Sequence, residues 1–161
     1  MSAFTPLNWK ELPMPRPAPL VAQDYTDIQD LYAYYTLCSD AGDADGFVSC
    51  FSADGELCIP TLSMSVRGHA DLYRFKSEDK ARRKGSVRRH WNSGLHLEHI
   101  DSTTVHGSCY LHAYEAPPGL ALVLVDMGVY EDTLRYEEGE WRFCRREIHM
   151  DHSQFTVPET K

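Results

Sequence analysis

The chain has 161 residues, a net charge of −8, 42% apolar and 25% charged residues, enough for one domain with a continuous core. The acidic balance argues against nucleic acid as a main partner, because phosphate binding rests on Lys and Arg releasing counterions. No apolar run approaches the roughly 20 residues that span a bilayer, and the N-terminus lacks the apolar core of a secretory signal. The expectation is a cytoplasmic protein with no membrane partner.

Residues 1–23 hold five of the nine prolines, with Trp9 among them, and read as an extended arm because proline removes a donor and blocks the helical turn. Helical spacing begins at Asp24, where Ile28, Leu31, Tyr32, Tyr35 and Cys38 recur on one face and Asp24 or Thr26 can cap the start. This helix should end near Ala41-Gly42. Asp43 or Asp45 then caps a short second helix carrying Phe47, Val48 and Phe51 inward. Ser52-Ala53-Asp54-Gly55 is a turn signal, followed by strands over 56–60 and 63–67. Gly68 opens a third helix through Leu72 and Phe75.

The basic run from Lys76 through Lys80, Arg82, Arg83 and Lys84 to Arg88 and Arg89 contains Glu78 and Asp79 but no interleaved aromatics. It reads as a solvated helix end and connector. Strands are expected at about 88–101, 104–115, 120–136 and 140–150, separated by short turns, which favours an antiparallel meander. The three units are thus an arm over 1–23, a domain over 24–152 and a tail over 153–161.

Five cysteines at wide spacing, with no C-x-x-C, indicate neither a disulfide framework nor a thiolate zinc site. His149-x-x-His152 and His96-x-x-His99 lack an obvious third ligand, and on a strand residues three apart face opposite ways, so no metal is expected. The residues that stand out for chemistry are Asp40, His90, Arg146, Tyr35 and its neighbour Tyr34. Asp40 closes the first helix, where the dipole disfavours an anion unless something compensates it. His90 shares a strand face by alternation with Asn92, Gly94 and His96, although a bulge near Ser93-Gly94 would exchange the faces. As a base, His90 needs a carboxylate to fix its tautomer. Arg146 alternates with Arg142, Cys144 and Ile148. It is open between a catalytic role and a structural ion pair with Asp126 or Asp132.

Several segments occur in a familiar order. Ile28-Gln29-Asp30-Leu31-Tyr32 leads to Asp40, then Asp43-x-Asp45, Phe51-x-x-Asp54-Gly55 and Gly68-x-Ala70-x-Leu72-x-x-Phe75. His90, Gly107 and Gly139-x-Trp141-x-Phe143-x-x-Arg146 follow. Over residues 24–152 this resembles the SnoaL-like branch of the NTF2-like superfamily, which includes scytalone dehydratase, a hexachlorocyclohexane dehydrochlorinase, bile-acid dehydratases and polyketide cyclases. The resemblance implies an α+β cone in which a curved mixed or antiparallel sheet and three helices enclose a central pocket.

It also implies an Asp40–His90 dyad, with Arg146 at the position of an arginine in the dehydrochlorinase. Tyr35 stands where that enzyme has a lysine, which replaces a chloride-assisting cation with a hydroxyl. The second histidine of scytalone dehydratase would fall near Glu115 rather than on His112. The implied activity is a cofactor-independent lyase acting on a hydrophobic, ring-bearing molecule by dehydration or retro-aldol cleavage. His90 would be the base and Arg146 and Tyr35 the oxyanion donors, with Tyr34, Phe51, Trp91, Asn92, Tyr110, His112, Val125 and Met127 around the substrate. An isomerase or cyclase on a polyketide or steroid-like substrate, and a non-catalytic subunit of a ring-hydroxylating oxygenase, are the alternatives. Relatives form dimers or trimers, so a homodimer or homotrimer is expected.

Overall fold

A computed structural model describes residues 20–154. The expected arm therefore lies almost wholly outside the described residues, and so does most of the tail. The first helix, α1 (Ala22–Ala41), starts two residues before Asp24, with Val21 at its N-cap and no side-chain cap. Asp24 sits instead in the first turn, where the helix dipole favours an anion, and accepts a hydrogen bond from Trp141 Nε1 at 3.1 Å. Ile28, Tyr32, Tyr35, Cys38 and Ser39 form its buried stripe.

The helix stops at Gly42, which adopts a left-handed φ of 64°. Its N–H reaches Ser39 O while the N–H of Asp43 reaches Cys38 O at 2.9 Å, a pairing that satisfies the last carbonyls and requires a residue tolerant of positive φ. Asp43 then caps α2 (Ala44–Ser49) by accepting from Gly46 N at 3.1 Å.

Strand β1 (Phe51–Ile59) begins five residues earlier than the turn signal suggests, because Phe51 pairs with Phe143 and the following residues form an irregularity rather than a turn. A single 3-10 turn leads to β2 (Met64–Arg67), and Gly68 then precedes α3 (His69–Arg82). The long strands follow: β3 (Val87–His99), β4 (Thr104–Ala116), β5 (Val123–Glu137) and β6 (Glu140–Ser153). They form one six-stranded sheet in the order β2-β1-β6-β5-β4-β3, antiparallel throughout except for the parallel β1–β6 pair. The helices cover one face of this sheet, and the core lies between them. No described helix is long and apolar enough to cross a membrane.

Bulges decide which residues face inward. In β3 the register shifts between Ser93 and His96, with Gly94 at a φ of 68°. Arg88, His90 and Asn92 therefore lie on the half-buried face while His96 is turned out to solvent. In β6 a shift around Cys144 has a larger effect. Strict alternation groups Arg146 with Arg142 and Cys144, yet the extra residue moves it to the buried face of Trp141 and Phe143.

Candidate active site

Asp40 and His90 meet across the junction of α1 and β3. His90 Nδ1 lies 2.6 Å from Asp40 Oδ1, and the His90 backbone N–H donates to Asp40 Oδ2 at 3.2 Å. Both side chains are largely buried, at 8% exposure for Asp40 and 14% for His90. An ionised carboxylate only accepts, so Nδ1 carries the proton and Nε2 presents its lone pair. Burial lowers the His90 pKa against the upward pull of Asp40, and Lys76 and Arg88 lower it further. The ring is thus neutral at pH 7, the state a general base needs.

The anion at the end of α1 has a compensating cation. Arg83, the C-cap of α3, donates to Ser39 O at 2.8 Å and to Asp40 O at 2.9 Å, placing a guanidinium on the negative end of the α1 dipole. Arg83 also binds Asp79, which holds Lys76 as well at 3.1 Å. Arg88 lies 3.7 Å from Asp79 and pairs with Glu115. Lys76 donates in addition to Ser39 Oγ at 2.9 Å. The basic run is solvated only in part: Lys80, Arg82, Lys84 and Arg89 are exposed, whereas Lys76, Asp79 and Arg83 are buried. They continue the stripe of buried Leu72 at positions i+4, i+7 and i+11, and that spacing is the signal in the sequence that could have exposed them.

His90 borders an inner cavity of about 60 Å³. One part of its wall is apolar, from Leu57, Ile59, Leu111, Ile148 and Met150, and another is charged, from Lys76, Asp79, Arg83, Arg88 and Asp126. An outer cavity of about 310 Å³, bordered also by Glu115 and Val125, shares Asp79, Arg83, Arg88 and Asp126 with it. Tyr35 borders the inner cavity, and burial pushes its hydroxyl pKa up to about 12. Asn92 follows His90 on the same face but donates to Thr36 Oγ1 at 2.9 Å, and it borders a second groove between α1 and β3 that His90 and Trp91 also line.

Arg146 is elsewhere. Its guanidinium is fully buried and makes a two-point contact with Asp132, at 2.9 and 2.7 Å. The rings of Tyr32, Tyr35, Tyr130 and Phe143 surround it at 4.0–4.7 Å. Tyr32 donates to the same carboxylate. Arg146 does not border the His90 cavity, and of the two readings left open its geometry is that of the Asp132 ion pair.

The expected substrate wall also divides. Val125 reaches the outer cavity, while Phe51 is fully buried among Tyr35, Phe47 and Phe143. Tyr34 is exposed on α1 and borders a different groove. Trp91, Tyr110, His112 and Met127 lie on the outer face of the sheet, because Cys109, Leu111 and Ala113 occupy the inner positions of β4. Trp91 there packs edge-on against Tyr114 at 5.0 Å. Among the described residues no cluster of three or more His, Cys, Asp or Glu is arranged to hold a metal.

Three solved structures show the same architecture. Aln2 from a Streptomyces species is 24% identical with a TM-score of 0.75, over 85% of this chain and 95% of its own. Rv3472 from Mycobacterium tuberculosis, a protein of unknown function, is 26% identical with a TM-score of 0.72, over 80% and 72%. An NTF2-like protein with a cystatin-like fold from Novosphingobium aromaticivorans is 20% identical with a TM-score of 0.69, over 82% and 85%. No curated protein matches. The model of the SnoaL-like domain matches residues 21–147, which takes in Asp40, His90 and the sheet as far as Glu147, and the chain belongs to that family.

Proposed function

We propose that this protein is a cofactor-independent lyase in which His90, oriented by Asp40, removes a proton from an activated carbon of a ring-bearing substrate. The observation that carries this reading is the 2.6 Å contact between His90 Nδ1 and Asp40 at the edge of a cavity with an apolar wall. Asp40 fixes the tautomer and stabilises the imidazolium once it forms. A positioned base of this kind contributes about 10²–10⁴-fold. The charged part of the wall sharpens the substrate class. A wholly apolar molecule would leave those groups facing nothing, so the substrate carries a polar end, such as a carbonyl or hydroxyl, on its ring.

Proton removal can be tested before the substrate is known. A bicyclic ketone such as β-tetralone in heavy water exchanges its acidic C–H for deuterium, and mass spectrometry reads the gain. Wild-type protein should accelerate the exchange above buffer, and His90→Ala should remove the acceleration while far-UV circular dichroism stays unchanged. Exchange by the variant at the wild-type rate would sink the assignment.

A further inference from the structure

Elimination of water needs a second group, since the oxygen that leaves must gain a proton as carbon loses one. The donors implied by the resemblance are Arg146 and Tyr35. Arg146 is sealed beneath the cavity, and burial pushes the Tyr35 hydroxyl up to about 12, which makes it a weaker acid than an ordinary phenol. The cavity contains another candidate that the dyad leaves unused.

Lys76 enters from α3 with 5% of its side chain exposed and borders the same cavity as His90. Two of its N–H bonds go to Ser39 Oγ and Asp79 Oδ2, and the ammonium stands 4.7 Å from the centre of the Phe47 ring; of its three donors, one makes no hydrogen bond. Ser39 adjoins Asp40 in α1, which ties the ammonium and the dyad to the same turn of helix. The titratable and charged groups that share this cavity with Lys76 are Asp79 from its own helix and Arg83 from the cap of that helix, His90 and Arg88 from β3, and Asp126 from β5. Tyr35 from α1 and Tyr130 from β5 complete the polar wall. Burial lowers the lysine pKa to about 8, while Asp79 opposes the fall. It remains an ammonium at pH 7 and sits close to the point of release.

We propose that Lys76 is the acid of the site, resting on the assignment of His90 as base. In the elimination His90 Nε2 takes the proton from carbon, and the C–H pair forms the new double bond. The C–O bond breaks, and the departing hydroxyl takes a proton from Lys76 and leaves as water. The imidazolium and the neutral amine that remain return to their starting states by exchange with solvent. The same ammonium serves an enolate oxygen if the charge develops on a carbonyl. Two titratable groups in one cavity, one held neutral and one held charged at pH 7, divide the roles of base and acid between them. The pairing also accounts for a lysine in the protein interior, where an aliphatic side chain of the same length would cost less.

The probe is para-nitrophenolate, a ring-borne oxyanion whose absorbance reports its ionisation. Wild-type protein should bind it, and Lys76→Met should bind it about 10-fold or more weakly, the worth of a charge-assisted hydrogen bond. Above the lysine pKa of about 8, affinity for the ionised probe should fall about 10-fold per pH unit in the wild type. It should be flat over that range in Lys76→Met. The wild-type pH dependence needs no variant and stands even if Lys76→Met fails to fold. His90→Ala should lose ketone exchange and still bind the probe, so failure of the base and failure of the acid give different results. Absence of probe binding to wild type, or equal binding with an equal pH profile in Lys76→Met, would overturn the proposal.

Discussion

Two ionic clusters are buried in this small domain, and they differ in what surrounds them. Arg146 and Asp132 face each other in a box of four aromatic rings, with no exposed side-chain surface on either partner. Lys76, Asp79, Arg83, Arg88 and His90 are nearly as well buried, but each borders a cavity. In the first cluster the charges are matched one to one, and the partner, the Tyr32 hydroxyl and the surrounding rings together offset the desolvation cost. In the second, cations outnumber the carboxylate they share, and the cluster opens toward a space where a ligand can complete it. Burial and charge look alike in the two places. The cavity is what separates a group that holds the fold from a group that can act.

The largest effect expected from this contrast is on chemistry at the open cluster. His90→Ala should lower ketone exchange by about 10²–10⁴-fold, with a melting temperature close to wild type. The closed cluster should behave the other way. Asp132→Ala strands a fully buried guanidinium and should cost about 3–5 kcal/mol in urea unfolding. The joint change Arg146→Met with Asp132→Leu should recover most of that loss. A closed cluster that tolerates Asp132→Ala would erase the distinction.

Folding of the open cluster should depend on pH with a particular sign. The unfolded chain keeps the Lys76 proton to about pH 10.4, whereas burial releases it in the fold at about 8. Between those values the unfolded state binds more protons, so stability should rise with pH over that window, by an amount on the order of 3 kcal/mol for this side chain. Subtracting the unfolding curve of Lys76→Met from that of wild type isolates the effect. The depressed His90 pKa acts in the same direction at lower pH, so its contribution is lost as pH falls below about 6.5. Smallest of all should be Tyr110→Ser on the outer sheet face, within about 0.5 kcal/mol in stability and without effect on ketone exchange.

The order of elements and the meander are legible in the sequence because helical and alternating spacing survive in α1 and β3–β6. The link between Asp40 and His90 comes from resemblance, since the two residues are 50 positions apart and neither alone announces a partner. What alternation does not supply is the choice of face. One extra residue near Cys144 carries Arg146 inward, and the inner positions of β4 send Tyr110 and His112 out. The basic run misleads for a related reason. Its charge density suggests solvent, but the groups that bury Lys76 and Arg83 include Ser39 and the end of α1, 37 to 44 positions away. Only the repeat from Leu72 through Lys76, Asp79 and Arg83 hints that this helix face turns inward.

The most direct measurement is nitrogen-15 NMR of the histidine rings at pH 7, with His90 assigned by its loss in His90→Ala. The expected spectrum is a neutral ring protonated at Nδ1 and bare at Nε2, with the Nδ1 proton far downfield from its bond to Asp40 and returned toward ordinary values in Asp40→Asn. A ring protonated at Nε2 instead, or an imidazolium at pH 7, would leave no lone pair facing the cavity and would contradict the assignment of His90 as the base.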